Sequence, residues 1–493
     1  MSAPRSKRKL FPLLVSTLAL SMLGTSTAAR ADAQLSRLQD LLSATPEGGW
    51  VKASIGTFSD AWATGSTAVN APSFQNPGTV VTAWSSFAWD SNRGDLLLWG
   101  GGHANYAGNE TYVWDASSGN WSRGSLASRL DANNYVVDNA APQSSHTYDN
   151  NLYLPVNDLF LTLGGAAYQS GAAFQTFNGT TGVPSGPWLW DPAKADPNKV
   201  GGTTGSGWDP ASAGGEMWTN RYGQYSGVAP VSFVGATTAY RTENGKDVVY
   251  VSADTNASGF PSLYRYTLGD VKNGGLDTWE KVGEMWNSAA YAGAGTIDTK
   301  HNLFIRTATT TGSYTSSLAV WDLSKSNPAN PGSNKDVGIR LVDEFGTPFQ
   351  MNSGFAIEYD SKNGNLLLWD GSDQGTVWVV TPAYDANGNM LTTWVVKKLV
   401  STTFTQPGGN FVTGVFGKLD YIDELGAFLA LNEFSSLTGD AEVWLYKPYA
   451  TTSTTPGNGT PPDPATVPEP NAMALLLGSL GLLALARRRR IRD

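Results

Sequence analysis

A repeated pattern of short apolar segments constrains the fold of this chain more than any other feature. Phe87 to Gly101 reads FAWDSNRGDLLLWGG, and Phe355 to Gly371 reads FAIEYDSKNGNLLLWDG. Each copy has an apolar segment ending in Asp, a turn with Asn and Gly, and then Leu-Leu-Leu-Trp followed by glycine. Looser copies occur at residues 145–165, 234–254, 292–308 and 416–432. Segments of this length between turn residues predict pairs of β-strands.

Two further strands are predicted after each pair. The third alternates with aromatic residues, as in ETYVWD, SLYRYTL and SLAVWDL, and the fourth carries Trp near a cation, as in NWSRG, TWEKVG and TWVVKKL. This pattern predicts an all-β fold, a single β-propeller of about six four-stranded blades, with seven possible. In each blade, strands a to d run from the axis outward. A pair of packed sheets is the alternative architecture.

The two ends of the repeat region are complementary. The last unit ends at Lys447-Pro448 without a fourth strand, whereas GGWVKAS, residues 48–54, is a fourth-strand motif with no unit before it. We therefore expect Trp50 to Ser54 to complete the last blade and close the ring. Closure would protect two sheet edges and take the place of disulfides, which a chain with 0 Cys cannot form.

The units resemble kelch repeats, the blade type of galactose-oxidase-like propellers. The resemblance rests on Gly100-Gly101, Tyr112 and Trp121 in the first unit and spans roughly residues 48–448. Copper radical oxidase chemistry, which the resemblance suggests, is disfavoured because that site needs a tyrosine cross-linked to a cysteine. We predict no metal and no other cofactor.

The N-terminal 33 residues predict a secretory signal peptide. A basic start, an apolar run from Leu10 to Leu23 and small residues ending at Ala31 or Ala33 match the three parts of such a signal. Residues 34–47 are expected to form a short helix or lead-in before the propeller at 48–448. The mature chain is therefore predicted to be exported across the bacterial inner membrane.

The C-terminus predicts a surface-sorting signal. A Thr/Pro/Gly linker, residues 449–466, precedes a final segment, residues 467–493, whose apolar stretch runs from Ala472 to Ala486. This segment resembles the PEP-CTERM signal of bacterial exopolysaccharide producers. The resemblance rests on Pro468, Glu469, Pro470, Arg487, Arg488, Arg489 and Arg490. It implies processing by an exosortase, transient membrane contact through the apolar transmembrane stretch, and delivery to the cell surface or extracellular matrix. A plain tail anchor is the alternative.

The charge balance argues against nucleic acid as a partner. The chain has 33 basic and 42 acidic residues, a formal net charge of −9. Many of the basic residues lie in the two terminal segments, and the remainder has no basic stripe. A surface of this kind lacks the positive potential that binds a phosphate backbone.

Blade topology places two of the three histidines on one face. The b–c connections and the d–a connections between blades emerge on one side of a propeller, here called the loop face. The a–b and c–d turns emerge on the other, here called the turn face. His103 lies in the b–c connection of unit one, and we expect His146 at the start of strand a of unit two, so both belong to the loop face. His301 lies in an a–b turn and belongs to the turn face.

Polar and aromatic residues accompany these two histidines and predict a binding site. The predicted ligand-binding residues are His103, Asn105, Tyr106, Asn109, Glu110, His146 and Asp373. Further polar candidates on the same face are Asn352, Asp370, Asn432 and Glu433. An aromatic ring beside amides and carboxylates suits a sugar, because the ring covers its C–H faces and the polar groups take its hydroxyls.

The predicted function is binding of an extracellular polysaccharide or a matrix partner protein at the loop face. The alternative is a glycan-active enzyme, a lyase or hydrolase, at the same face, although we assign no catalytic residue and lean against an enzyme. Geometry separates the two functions. Convergence of His103, His146, Glu110 and Tyr106 on one point would favour chemistry, whereas dispersal would favour binding.

Overall fold

The repeated segments form short antiparallel strands. The protein is described by a computed structural model over residues 34–63, 76–178, 181–206, 209–254, 261–285, 292–307, 317–351, 354–371, 375–408 and 413–450. Its helices are α1 (34–44) and α2 (Thr79–Thr82), with 3₁₀ turns at Phe58–Ala61, Pro192–Lys194, Pro210–Ser212, Val271–Asn273, Leu323–Lys325 and Pro331–Ser333. The strands are β1 (Gly49–Lys52), β2 (Phe87–Asp90), β3 (Asp95–Leu98), β4 (Tyr112–Asp115), β5 (Asn120–Arg123), β6 (Ser145–His146), β7 (Asn151–Leu154), β8 (Leu159–Thr162), β9 (Ala166–Ala167), β10 (Gln175–Asn178), β11 (Thr181–Pro184), β12 (Trp188–Trp190), β13 (Trp218–Asn220), β14 (Tyr225–Gly227), β15 (Thr237–Glu243), β16 (Lys246–Ala253), β17 (Ser262–Thr267), β18 (Asp277–Glu284), β19 (Gly295–Asp298), β20 (Leu303–Thr307), β21 (Leu318–Asp322), β22 (Val337–Val342), β23 (Ala356–Asp360), β24 (Asn365–Trp369), β25 (Val377–Val380), β26 (Thr393–Leu399), β27 (Leu419–Ile422), β28 (Ala427–Leu431) and β29 (Val443–Lys447).

These strands build six four-stranded antiparallel blades. From the axis outward, blades one to six are β2-β3-β4-β5, β7-β8-β12-β13, β15-β16-β17-β18, β19-β20-β21-β22, β23-β24-β25-β26 and β27-β28-β29-β1. Inner strands of successive blades contact one another from β2 through β7, β15, β19 and β23 to β27. The ring returns to its start where the Phe87 amide donates to the Gly417 carbonyl at 2.9 Å. The predicted all-β propeller of six blades is confirmed.

Each blade is buried on both faces, which explains why its second strand is apolar throughout. In β3 and the residue after it, Leu96 and Leu98 pack into the apolar cluster between blades six and one. Leu97 and Trp99 point the other way, into the cluster between blades one and two. Alternate side chains of a strand face opposite sides, so a strand between two neighbours needs apolar residues at every position. One apolar cluster lies at each of the six blade interfaces.

The N-terminal strand closes the ring, as the sequence predicts. Strand β1 pairs antiparallel with β29, with Gly49 opposite Lys447 and Lys52 opposite Trp444. The Trp50 side chain is 1% exposed, and its indole Nε1 donates to the Gly375 carbonyl of blade five at 2.7 Å. The observed strand begins one residue before the expected Trp50 and ends before Ser54. Blade six is therefore built from both ends of the propeller.

Helix α1 reinforces this closure on the turn face. Its apolar side chains Leu35, Leu38 and Leu42 join the cluster between blades six and one. The ammonium of Lys447 donates to the carbonyl oxygens of Leu42 and Thr45, each at 2.9 Å, where the helix ends. A cation at the C-terminal end of a helix satisfies carbonyls that lack an intrahelical partner. The helix is thereby held to the last strand of the ring.

Two features depart from a simple four-stranded pattern. Strand β14 adds to the outer edge of blade three in parallel with β18, and the outer strands β22 and β26 pair in parallel, which joins blades four and five into one sheet.

In blade two, strand a is β7, so the prediction that His146 begins that strand is wrong. His146 lies in β6, which pairs with β9 from the b–c connection of the same blade. The chain turns between the two strands, where the Asn150 amide donates to the Thr147 carbonyl at 2.9 Å.

Candidate functional site

The loop face brings His103 and His146 together. Their ring centroids are 5.6 Å apart, with the rings close to perpendicular. The imidazole Nε2 of His146 lies 2.7 Å from the side-chain oxygen of Asn105. His103 is exposed, Asn105 is half-buried, and His146 is 3% exposed. These three residues come from the b–c connection of blade one and from β6, which precedes blade two.

Glycines allow two connections to approach the segment that carries His146. A Cβ on Gly102 would lie 2.4 Å from the Cα of Ser145, and a Cβ on Gly165 would lie 2.1 Å from the carbonyl oxygen of His146. Both distances are shorter than a side chain tolerates. Gly165 also has a φ of +153° and Gly101 a φ of +99°, a region that favours glycine. The glycines after the second strands therefore position His146 between blades one and two.

Trp84 belongs to this cluster, although no sequence motif marks it. Its ring centroid lies 4.7 Å from that of His146, with 34° between the ring planes. Four non-glycine residues around His146 have positive φ: Trp84 at 44°, His103 at 41°, Ala104 at 61° and Tyr148 at 51°. Such conformations cost of order 1–3 kcal/mol each and tend to cluster at functional sites. The signal for this site is therefore backbone conformation, which the sequence does not display.

The environment keeps His146 uncharged. Burial, together with a smaller effect of the neighbouring His103, lowers the pKa of its imidazole to about 3. No carboxylate contributes to this shift. His146 is therefore a neutral ring at physiological pH and acts through hydrogen bonding and stacking.

Three of the predicted site residues lie inside the protein instead of at its surface. Glu110 is 4% exposed, and its Oε1 accepts hydrogen bonds from the hydroxyls of Tyr106 at 2.5 Å and Tyr112 at 2.7 Å. Burial raises the pKa of Glu110. The two hydrogen bonds act in the opposite direction and lower this pKa, but the net shift is upward. Asn109 is 3% exposed, and its side chain holds the next connection in place. Its side-chain oxygen accepts from the backbone amide of Ser128, and its side-chain nitrogen donates to the Pro142 carbonyl, each at 2.8 Å.

Some of the other predicted residues lie in the described part of the chain, and the others lie outside it. Two binding candidates and all the sorting residues lie outside the described residues. They are Asp373 and Asn352, and Pro468, Glu469, Pro470, Arg487, Arg488, Arg489 and Arg490. Asp370 and Glu433 are half-buried, and Asn432 is buried with its amide donating to the Gly408 carbonyl at 3.1 Å. Among the loop-face candidates that the structure describes, exposed His103, half-buried Asn105 and buried His146 form one cluster.

A second feature, the central channel, was not predicted. A cavity of about 330 Å³ runs along the inner strands. It opens between turn-face residues such as Ser91, Thr299 and Glu424. Asp149 lines its other end, beside the buried pair Tyr148 and Phe416, whose rings stack at 6.2 Å.

Polar residues from several blades line the channel wall. The lining includes one mid-strand residue of each inner strand, in order Ala88, Leu152, Ala239, Thr296, Glu358 and Asp420. Burial raises the pKa of Asp420 to about 7. Burial also raises the pKa of Glu358, and the negative charges of Asp420 and Asp149 raise it further. The channel therefore holds carboxylates that resist ionisation.

His301 has a structural role on the turn face. Its Nδ1 lies 2.6 Å from the Oδ2 of Asp298, whose other oxygen accepts from the His301 amide at 3.0 Å. Arg93 and Asn363 occupy the same position after Asp90 and Asp360, and their side chains contact the preceding Asp in the same way, at 3.0 and 2.6 Å. Three different side chains thus make one turn contact, which explains His301 without a ligand.

Metal ligation has no support in the described part of the chain. There, no group of three or more His, Cys, Asp or Glu side chains is arranged to hold a metal ion. Two neutral imidazoles without a carboxylate also make a poor donor set.

In the part of the chain that the structure describes, no helix is long and apolar enough to cross a bilayer. The apolar stretch from Ala472 to Ala486 lies outside them.

Comparisons with known proteins identify the C-terminal segment and say little about the propeller. No curated protein matches the chain significantly. One similar structure is PorZ, described as an essential bacterial surface component of the type-IX secretion system of Porphyromonas gingivalis. It is 12% identical, and the match covers 76% of this chain and 48% of the PorZ chain, with a TM-score of 0.36. A putative 6-phosphogluconolactonase from Bacteroides uniformis is 9% identical and covers 71% and 80%, with a TM-score of 0.29. These scores are too low to carry an argument.

The sorting segment is the part with a clear match. Residues 466–490 match the PEP-CTERM protein-sorting motif, which confirms the prediction drawn from Pro468, Glu469 and Pro470. The match implies processing by an exosortase. The protein is therefore exported across the inner membrane and sorted to the cell surface or extracellular space, with a six-bladed propeller as its folded part.

Proposed function

We propose that the propeller binds an extracellular polysaccharide, or a partner protein of the matrix, at the loop face. The observation that carries this proposal is the cluster of His103, Asn105, His146 and Trp84, which His103 opens to solvent and which is held by strained backbone between blades one and two. Rings next to a free amide suit the C–H faces and hydroxyls of a sugar. Asp373 lies outside the described residues and remains a predicted binding residue on the sequence alone.

The same geometry disfavours a glycan-active enzyme at this face. Acid–base chemistry on a glycan needs a positioned acid and a positioned base, and the glycosidases that pair two side chains for this use carboxylates. Glu110 and Tyr106 are instead bonded to each other and buried at 4% and 2% exposure. We assign Tyr106, Asn109 and Glu110 to shaping the loop that carries His103 and Asn105. Because Glu110 and Tyr106 are buried and only the two histidines lie together, the arrangement favours binding over chemistry.

We further propose that the blades are of kelch type and that residues 1–33 are removed on export. Support for the kelch type comes from the glycine pairs Gly100-Gly101 and Gly164-Gly165 after the second strands, which have positive φ. Tyr112 and Trp121 add to it by packing in the core between blades six and one. The linker at 449–466 would join the propeller to the sorting signal.

Binding of soluble polysaccharides to the mature protein tests the proposed function. A His103→Ala, His146→Ala variant is expected to bind at least about ten-fold more weakly, because loss of one or two hydrogen-bonding and stacking contacts has this size. His103→Ala alone removes an exposed ring and separates binding from folding. The matched control is His301→Asn, since Asn363 already fills the equivalent turn position. Equal affinity of the double variant and the wild type would refute the proposal.

A further inference from the structure

The hydrogen bond between His146 and Asn105 fixes the direction in which each can act. An amide oxygen accepts and never donates, so the Nε2 of His146, 2.7 Å away, carries the proton. The neutral ring then has its acceptor at Nδ1. In the described part of the chain, the side-chain nitrogen of Asn105 has no hydrogen-bond partner, and this residue is half-buried. Asn105 is therefore oriented by His146 to present a neutral donor.

Trp84 is fixed beside His146 as a flat apolar surface. Its carbonyl accepts from the Tyr148 amide at 2.6 Å, and its amide lies 3.4 Å from the Thr413 hydroxyl. The indole is half-buried and packs against the His146 ring. Because both backbone groups are held and φ is 44°, the ring is set in place before a ligand arrives.

Among the described residues, the surroundings of His146 supply no lysine or arginine to offset an anionic ligand. Apart from burial, His103 is the one group that shifts the pKa of His146, and no lysine, arginine or carboxylate contributes. Lys418, from the connection before blade six, is 0% exposed and donates to the Gly414 carbonyl at 3.2 Å. A carboxylate or sulfate brought into such a place would lose hydration without gaining a paired cation.

We propose that the loop-face site takes an uncharged pyranose ring, stacked on Trp84 and hydrogen-bonded by the Asn105 amide, in preference to a uronic acid or sulfated sugar. This inference rests on the proposed function and specifies its ligand class. His146 is a positioning residue, because it orients Asn105 and packs against Trp84. His103 forms the exposed edge of the site.

Matched oligosaccharides test this preference by calorimetry with the mature protein. The neutral probes are maltohexaose, cellohexaose and mannohexaose, and the anionic probes are hexamers of galacturonate and mannuronate. We expect at least one neutral hexamer to bind at least about ten-fold more tightly than either anionic one. Trp84→Ala is expected to weaken that binding about ten-fold or more, whereas Trp84→Phe, which keeps a ring, should retain most of it.

Asn105→Asp tests the donor separately. It removes the neutral donor and places a carboxylate beside His146, so binding of the neutral hexamer should fall about ten-fold at pH 7 and the pKa of His146 should rise in NMR titration. If an anionic hexamer binds most tightly and Trp84→Ala abolishes that binding, the proposed function stands and the neutral-sugar inference is overturned. If no glycan binds, the neutral-sugar inference and the polysaccharide form of the proposed function are both overturned, and the partner-protein form is left. Thermal unfolding of each variant shows whether it is folded.

Discussion

At the scale of single residues, close backbone approach matters more than side-chain chemistry in positioning His146. Gly102 and Gly165 lie where the two b–c connections meet the segment from Ser144 to His146. The nearest atom that a new Cβ would meet is a backbone atom at both positions, and a backbone atom cannot move aside as the end of a flexible side chain can. These glycines are therefore part of the site, although neither contacts a ligand.

Replacement of Gly102 by alanine is expected to destabilise the fold and to displace His146. The new methyl group would lie 2.4 Å from the Ser145 Cα, and overpacking of this kind costs about 1–3 kcal/mol in the free energy of unfolding. Urea unfolding followed by tryptophan fluorescence measures the loss. Gly408→Ala is the control, since nothing lies within 4 Å of its Cβ position. Equal unfolding free energies for the two variants would contradict this account.

At the scale of strands and blades, closure of the ring depends on one short segment, strand β1. Strand β1 contributes four residues, yet Trp50 reaches blade five and packs on the rings of Trp369 and Tyr446 at 5.8 and 5.0 Å. Its removal would leave a cavity between blades five and six. A ring with one weak junction loses the edge protection that closure provides.

Trp50→Ala is expected to lower the free energy of unfolding by about 3–5 kcal/mol, the usual range for a buried tryptophan. Val51→Ala is the matched control, because Val51 is the next residue of the same strand and is half-buried. Chemical denaturation of both variants gives the comparison. A loss for Trp50→Ala no larger than that for Val51→Ala would show that the junction does not depend on this indole.

The sequence predicts blades better than it predicts what lies between them. Spacing of apolar strands and turns gave six blades and their closure, because each blade is a local unit. The start of strand a in blade two was misplaced, because Ser145 and His146 alternate like a strand while Tyr148, at a φ of 51°, turns the chain before β7. Trp84 was missed because it lies outside the repeats.

At the scale of the whole molecule, the channel collects residues that no local pattern connects. Asp149, Glu358 and Asp420 come from three blades and meet only in the ring. The Oδ2 of Asp149 accepts from the amides of Thr238 and Gly295 at 2.8 and 2.9 Å, so it links blades two, three and four. These carboxylates could not be predicted together, since their proximity is a product of closure.

The channel carboxylates are expected to make stability fall as pH rises. The folded-state pKa of Asp420 is about 7, above its ordinary value of 3.8, so between these two values the folded chain keeps a proton that the unfolded chain has released. This contribution is fully present below the lower value and is lost as pH rises through the higher one. Raised pKa values of Glu358 and Asp149 act in the same direction.

Thermal unfolding from pH 4 to pH 8 measures this effect. Asp420→Asn removes one titrating group, so its Tm should fall less across the range than the wild-type Tm. Asp40→Asn, at an exposed position of α1, is the control for loss of one acidic residue. Parallel curves for Asp420→Asn and the wild type would show that Asp420 ionises as readily in the folded chain as in the unfolded one.

The pairing of β1 with β29 also has a mechanical consequence. The chain continues toward its sorting segment from Ala450, just beyond β29, so tension on that part of the chain reaches the propeller through β29. This strand is hydrogen-bonded on both sides, to β28 and to β1. Force directed along the strand would have to shear two ladders at once, whereas an edge strand has one ladder to resist it. The propeller would thus take such a load through a strand with neighbours on both sides.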